Sequence, residues 1–344
     1  MYNLHYGLIH NGAPTLINIS NYKLPNTCQE FNPKSYNLCQ EGDVAFADAS
    51  EDTNDVAKVV EFFNCDDKKI VCGLHTIHGR DKLNVTVKGF KGYAFSSVSF
   101  HNQMRRLAQG TKVYSVSQKN FSECFIGIPS KEEQTKIARL LNFIDDRIST
   151  QNKTIEELKT QKIALRNKLY KQITKIGESE QIANLLNYEQ PTNYIVTSTD
   201  YSEDSSLIPV LTANKAFVLG YTDEDFGIFN KGDCVIFDDF TMDLKYVDFP
   251  FKVKSSAMKI LKAKRDVNLR FVYEYLSFLK LTSTEHKRHY ISEIEPMYIS
   301  LPEINIQNST TNILTIFDEK IDLEIKQYNL YVKQKKYLLN QMFI

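Results

Sequence analysis

Cys65, Cys72, His75 and His78 follow one another with the spacing C-x6-C-x2-H-x2-H, and thiols with imidazoles are donors that zinc prefers. The spacing matches no usual finger framework. The expected state is therefore buried thiols and surface or groove-facing imidazoles, with no metal. Asp238 and Asp239 are adjacent carboxylates in an apolar run, without the well-spaced third partner that a nuclease metal site would use. Loop capping or hydrogen bonding is their expected role. No G-x-x-x-x-G-K-[ST] loop is present to cradle ATP phosphates, and no glycine-rich turn after a strand to hold adenosylmethionine. No nucleophile, base and orienting group stand at a supporting spacing. The chain is expected to be non-enzymatic and to bind no cofactor of its own.

The chemistry that the sequence does supply is cationic. Lys plus Arg is 42 and Asp plus Glu is 42, a formal net charge of zero that excludes a uniformly basic coat but not local patches. Residues 1–61 carry 3 Lys against 8 acids, and residues 62–130 carry 10 Lys and Arg against 4. Residues 178–247 carry 3 Lys against 13 acids, and residues 248–290 carry 10 Lys and Arg against 4. This acidic-then-basic order, met twice, is the electrostatic footprint of a reader of duplex DNA with two half-sites. Phosphate contacts would supply affinity, and groove contacts discrimination. In the first basic stretch the candidates are Arg80 and Lys82, after GLHTIHGR, and Arg105 and Arg106, beside His101, Asn102 and Gln103. In the second they are Lys252, Lys254, Lys287 and Arg288, with His286 and His289 adjacent.

At 344 residues the chain is longer than one ordinary core, so two domains, or one domain with an extended element, are expected. A hydrophobic content of 42% with 12% aromatics excludes disorder as the main state. The opening MYNLHYGLIHNG has no basic n-region and no long apolar stretch, and no run approaches the ~18 apolar residues of a membrane span. Six Cys without close pairing read as reduced thiols, and a cytoplasmic location is expected.

The elements that must position the cations are set by a repeat. Residues 128–173 (IPSKEEQTKIARLL…) and 301–344 (LPEINIQNSTTNIL…) align without a gap at an offset of 173, matching Pro129 with Pro302, Leu141 with Leu314, Asp145 with Asp318 and Leu165 with Leu338. In the first copy Ile137, Leu141, Ile144, Ile148, Gln151, Ile155, Leu158, Lys162, Leu165 and Leu169 alternate at steps of four and three. In the second, Leu314, Phe317, Ile321, Glu324, Tyr328, Tyr331, Lys335, Leu338 and Met342 repeat the ladder. That period is a coiled-coil seam. Gln151 and Lys162 interrupt it at the positions of Glu324 and Lys335, and matched polar interruptions suggest that the copies pair with each other. Neither copy has Gly or Pro after its opening Pro, so each predicts an unbroken helix roughly 60 Å long.

The intervening segments are alike in outline. Gly42-Asp43-Val44 and Gly232-Asp233-Cys234 each open an apolar run that reads as a buried strand. VTVKGF at 85–90 and FKVKSSAMKIL at 251–261 read as strands, and 96–108 and 270–280 as short helices. The expected fold is α+β, with two recognition domains joined by two long helices that form an intramolecular antiparallel coiled coil.

Taken together, these features resemble the specificity subunit of Type I restriction-modification systems. The run IPSKEEQTKIARLLNFIDDRI at 128–148 carries the strongest likeness, joined by IPVLTANKAFVLGYT at 208–222, FDDFT at 237–241 and FPFKVKSSAM at 249–258. The resemblance covers most of the chain. It implies a first target-recognition domain at 1–127, a spacer helix at 128–175, a second recognition domain at 176–300 and a second helix at 301–344. The start, YGLIHNGAPTLI, looks like the interior of such a domain, so the first recognition domain is expected to lack its opening segment. The implied function is recognition of a split sequence in double-stranded DNA and recruitment of two methyltransferase subunits, with restriction subunits in the full complex. Adenosylmethionine is then implied for the methyltransferase partner, and ATP and Mg for the restriction partner. Two alternatives stay open: a truncated copy that binds partners without reading DNA, and a stand-alone DNA methyltransferase. Asp248-Phe249-Pro250-Phe251 is similar to the Asn/Asp-Pro-Pro-Tyr/Phe loop of DNA amino-methyltransferases, but its second residue departs from that pattern.

Overall fold

The computed structural model describes residues 1–27, 37–65, 68–212, 217–264, 266–283 and 287–343. It forms two compact units, Met1–Ile155 with Glu324–Ile344, and Glu156–Leu323. Two long helices, Lys131–Ile173 and Ile304–Met342, each give one part to either unit.

The first unit opens with β1 (Tyr2–Leu4), α1 (Tyr6–His10) and β2 (Leu16–Asn18). β3 (Val44–Ala47), β4 (Ala49–Ser50), β5 (Val59–Phe63), β6 (Ile70–Cys72) and β7 (Thr76–Gly79) follow. α2 (Phe90–Phe95), α3 (Val98–Leu107), β8 (Tyr114–Ser115) and α4 (Gln118–Phe121) lead to the long helix α5 (Lys131–Ile173). The main sheet has the order β2-β5-β3-β7, with β2 parallel to β5 and β3 antiparallel to both its neighbours. The period of two places Ala45, Ala47, Val60 and Phe62 in one core cluster with Leu4, Ile9 and Ile17. Val44, Phe46 and Val59 enter another with Phe100 and Met104 of α3. Both sheet faces are therefore covered, which is why β3 reads as an unbroken apolar run.

Residues 85–90, expected as a strand, form none. Gln134, fully buried in α5, takes their backbone: its Oε1 accepts from Val87 N at 2.8 Å and its Nε2 donates to Val85 O at 3.1 Å. Gly89 then turns left-handed at φ +83°, and Phe90 begins α2. A side chain 47 residues downstream thus replaces the neighbouring strand.

The second unit runs through β9 (Glu178–Gln181), α6 (Ile182–Leu185), β10 (Leu186–Glu189), β11 (Ile208–Leu211) and β12 (Val218–Thr222). β13 (Cys234–Asp238), β14 (Leu244–Val247), β15 (Lys252–Val253) and β16 (Met258–Ala263) follow. α7 (Leu269–Leu279) and β17 (Tyr298–Leu301) precede the second long helix, α8 (Ile304–Met342). Its sheets have the orders β10-β16-β13-β14, β12-β11-β15 and β17-β9. Val235, Phe237 and Leu261 face a cluster with α7 and the end of α5, while Cys234, Ile236 and Ile260 face another with Phe229 and Phe251.

The long helices pair within each unit. In the first, Asp145 meets Lys335, Arg147 meets Tyr331 and Gln151 meets Glu324, so numbers rise in α5 as they fall in α8. The pair is antiparallel. In the second, Lys162 binds Asp318 at 2.7 Å, and Leu165 and Leu169 pack in the cluster that holds Leu314. Of the seam, Leu141, Ile144, Ile155, Leu158, Leu314 and Ile321 are buried. Ile148, Leu165, Leu169, Phe317, Tyr328, Tyr331, Leu338 and Met342 are half-buried. Gln151 does face Glu324, but Lys162 does not face Lys335: each lysine finds an aspartate on the other helix, because an antiparallel pairing exchanges the two ends of a repeat. No described helix is long and apolar enough to cross a membrane.

Candidate nucleic-acid interface

In the first unit the exposed cations are carried on short, well-fixed frames. Asp81 accepts from the amides of Leu83 and Thr86, at 3.0 and 2.9 Å, and closes the turn that displays Lys82. α3 is capped by Ser97, whose hydroxyl accepts from Phe100 N at 3.2 Å. It buries Phe100 and Met104 and leaves Arg105 and Arg106 exposed in its last turn, where cations suit the helix dipole. Lys82, Arg105 and Arg106 form no ion pair with a described residue.

Arg80 is a different case. Its Nη2 donates to Asp43 Oδ2 at 2.6 Å and to the Leu38 carbonyl at 2.7 Å, while its Nε donates to Asp43 Oδ1 at 2.9 Å. His78 Nε2 lies 2.8 Å from the same carboxylate. Burial alone would raise the Asp43 pKa, but the hydrogen bonds from Arg80 and His78 outweigh it and hold the group down at about 2. Arg80 is exposed, and its Nε and Nη2 anchor the Leu38–Asp43 turn to the end of β7.

The second unit repeats that division. Lys252 is fully buried, with its Nζ 2.7 Å from both Phe226 O and Glu224 Oε2 and 4.3 Å from the Phe226 ring centroid. It cannot reach DNA, and its expected contact role is corrected on that ground. Glu224 resists burial by binding Lys252 and Thr197, which lower its pKa to about 2. Lys254, just beyond the strand, is exposed and has no ion pair with a described residue. Lys287 is exposed and bridges to Glu293 at 3.0 Å. Arg288 is exposed, 6.0 Å from the Phe240 ring centroid.

Among the flanking residues, His289 is buried, with Nε2 2.8 Å from the Ser283 hydroxyl and Nδ1 3.1 Å from Glu293. It is no groove reader. His286 lies outside the described residues. Asn102 is exposed, Gln103 is tied to the backbone of Phe125, and burial lowers the His101 pKa. Asp238 accepts from Phe240 N and Thr241 N, and Asp239 from His289 N and Tyr290 N, which are the loop-bonding roles expected of them. The structure does not bring the four possible zinc ligands together. Cys72 Sγ lies 3.6 Å from Cys39 Sγ, His75 pairs with Asp48, and His78 with Asp43. No group of three or more His, Cys, Asp or Glu among the described residues is placed to hold a metal.

Sequence reading missed the groups that hold each globule on the helices. In the first unit Asp145 accepts from the Tyr93 hydroxyl at 2.9 Å and pairs with Lys335 at 2.6 Å. In the second Asp318 pairs with Lys162 and Arg270, and fully buried Glu274 binds Lys162 at 2.7 Å and Arg166 at 3.3 Å. A signal existed in the aligned Asp and Lys positions of the repeat, whereas Tyr93 and Glu274 had none.

Residues 19–160 match the family model of the Type I restriction modification DNA specificity domain. The Escherichia coli EcoR124I/EcoR124II specificity subunit is 39% identical over 173 residues, which are 44% of this chain and 43% of that protein. A putative MjaX specificity subunit from Methanocaldococcus jannaschii is 25% identical over 256 residues, 66% of this chain and 60% of that protein. The alignments thus span less than two thirds of either relative. The crystal structure of a Type I S subunit from M. genitalium shares the fold, with TM-score 0.57 at 14% identity, covering 96% of this chain and 88% of that one. A chain from a structural study of type I complex assembly has TM-score 0.55 at 12% identity, covering 94% and 89%.

The matched segment includes the start of α5, and there an apolar pair is exposed. Leu140 is 42% and Phe143 55% exposed. The repeat places Ile313 and Ile316 at the same positions of α8 in the second unit, 43% and 62% exposed. One helical turn separates the members of each pair, so both lie on one face.

Proposed function

We propose that this chain is the DNA sequence-recognition subunit of a Type I restriction-modification complex and is itself non-catalytic. The observation that carries this reading is the matched sorting of cations. In each unit one basic residue is bound to a carboxylate of its own globule (Arg80 to Asp43, Lys252 to Glu224), and others stand exposed on the globule without an ion pair to a described residue (Lys82, Arg105 and Arg106; Lys254 and Arg288). Exposed cations without fixed partners are the groups that displace counterions from a DNA backbone. Each unit would read one half of a split double-stranded target in the cytoplasm. The paired apolar patches, Leu140 with Phe143 and Ile313 with Ile316, support docking of two equivalent methyltransferase subunits, with restriction subunits joining them. Adenosylmethionine, ATP and Mg would then belong to those partners.

The test pairs two measurements. Duplex DNA affinity should fall steeply with salt, and methylome sequencing of a host with and without this chain should show a two-part motif disappear with it. A flat salt dependence removes DNA binding. An unchanged methylome in a host whose methyltransferase still co-purifies with the chain favours a copy that binds partners only.

A further inference from the structure

The first unit brings together two thiols that lie 33 positions apart in sequence. Cys39 N donates to the Ile70 carbonyl at 2.8 Å, while Tyr2 N of β1 takes the neighbouring Lys69 carbonyl at 2.8 Å. Successive carbonyls of a strand point to opposite edges, so the Cys39 segment and β1 flank β6. On this frame Cys39 Sγ and Cys72 Sγ lie 3.6 Å apart, the contact distance of two sulfurs.

The two thiols differ in access. Cys39 is 4% exposed in the core cluster of Leu4, Ile9 and Ile17, whereas Cys72 is half-buried and packs against that cluster. The hydrogen bond with Cys72, followed by burial, pushes the Cys39 thiol well above its ordinary pKa, so it stays protonated. Cys124 and Cys234 are placed otherwise. Cys124 Sγ touches the Met104 thioether at 3.2 Å, which cannot form a disulfide, and Cys234 is buried with its pKa pushed up to about 12.

A reachable thiol against a buried, protonated one is the arrangement of an attacking and a resolving cysteine. We propose that Cys39 and Cys72 are a redox-sensitive pair that hydrogen peroxide converts to a disulfide. The Cys72 thiolate attacks one peroxide oxygen and breaks the O–O bond. Cys72 becomes a sulfenic acid, and the released hydroxide takes up the proton that Cys72 had lost. The Cys39 sulfur then attacks the Cys72 sulfur, the S–O bond breaks, and the hydroxyl leaves with the Cys39 proton as water. Two thiols give up two electrons in all, and the peroxide is reduced to two waters.

The new bond closes a loop that contains β3, β4 and β5, and it ties the Leu38–Asp43 turn to β6. In the reduced chain that turn is held by the Cys39–Ile70 hydrogen bond and by Arg80, whose Nη2 donates to Leu38 O at 2.7 Å. Oxidation therefore staples the first globule by restricting its unfolded chain. Residues 156–323 contain one cysteine, Cys234, so the second unit gains no such staple.

The reduced full chain is exposed to hydrogen peroxide, blocked with iodoacetamide in denaturant and digested without reductant for mass spectrometry. A linked Cys39–Cys72 peptide pair is expected, and dithiothreitol should remove it. Urea unfolding of the oxidised chain should shift to a higher midpoint, and Cys39→Ser should abolish the shift. In that variant Cys72 should accumulate sulfenic acid that dimedone traps, whereas Cys72→Ser should leave Cys39 unlabelled. Circular dichroism checks the folding of both variants, and the linked pair in the unsubstituted chain decides the assignment even where a variant fails to fold. Absence of that pair, Cys72 joined to another cysteine instead, or dimedone on Cys39 in a folded Cys72→Ser chain would overturn it. An unshifted midpoint in the cross-linked chain would remove the staple.

Discussion

The two units solve one docking problem with the same helix chemistry and different globule chemistry. On the helices, Asp145 with Lys335 recurs as Asp318 with Lys162, and buried Gln134 recurs as buried Gln307. Each glutamine donates to the carbonyl of its opening proline, Pro129 at 2.9 Å and Pro302 at 2.8 Å. Each also accepts from a globule amide, that of Val87 or of Asn268. The globule side has diverged: a phenol, Tyr93, meets Asp145, whereas Arg270 meets Asp318 and Glu274 adds a second carboxylate on Lys162. The helices thus carry a general socket into which different globules plug. A duplicated architecture can vary its globules while keeping how they are held.

The comparison breaks most severely at Glu274. It is fully buried, and it compensates Arg166 and, together with Asp318, Lys162. Glu274→Ala leaves cations facing an apolar interior, which costs about 3 kcal/mol or more. Urea unfolding should show the loss. A drop below about 1 kcal/mol would mean that Asp318 alone suffices and that the second socket is no more ionic than the first.

Next in size is the contrast between Asp43 and Asp233, which follow corresponding glycines. Asp43 is buried under Arg80 and His78, while Asp233 is exposed and accepts only from the Tyr246 hydroxyl at 2.5 Å among described residues. Folding lowers the Asp43 pKa from 3.8 to about 2. A depressed carboxylate stabilises the fold fully above its unfolded pKa, and the contribution fades as pH falls towards the folded value. The effect is therefore complete above pH 3.8, lost progressively towards pH 2, and worth roughly 2 kcal/mol. Asp43→Asn should flatten the acid limb of the stability profile in urea titrations. An acid limb unchanged in Asp43→Asn would mean that the Arg80 and His78 contacts contribute nothing to it.

How much of this could be read in advance depends on the range of the interaction. The seam residues announce themselves because a heptad repeats a local pattern many times, and Gly42-Asp43 and Gly232-Asp233 announce strands through a turn and an apolar run. The 85–90 stretch looked equally strand-like, yet its backbone partner, Gln134, arrives from α5. The candidate site was legible only as composition. Nothing local separates Lys252 from Lys254, but Glu224 and Phe226 fold over the first and leave the second in water. Arg80 and Lys82 are both exposed, but Asp43, 37 positions upstream, binds only the first.

A smaller change should sharpen the contrast between sockets. Tyr93→Phe removes one hydrogen bond to Asp145 and leaves Lys335 in place, so the expected cost is about 1 kcal/mol in urea unfolding. That is well below the Glu274→Ala loss. Equal losses would mean that the phenol is as critical to its socket as the buried carboxylate is to its own.

The smallest effect separates the locked cations from the exposed ones, and it rests on the DNA reading. Lys254 stands in water, and an exposed lysine at a phosphate contributes mainly by releasing a counterion. Lys254→Ala should therefore weaken duplex binding only a few-fold, uniformly across sequences, and reduce the slope of log affinity against log salt by about one. Lys252→Met removes a charge two positions away but one buried against Glu224, so it should leave the slope unchanged and lower stability instead. Binding titrations at several salt concentrations, run beside urea unfolding, distinguish the two. If Lys252→Met lowers the slope as much as Lys254→Ala does, then Lys252 leaves its pocket for the DNA, and the sorting of cations into held and free ceases to identify the interface.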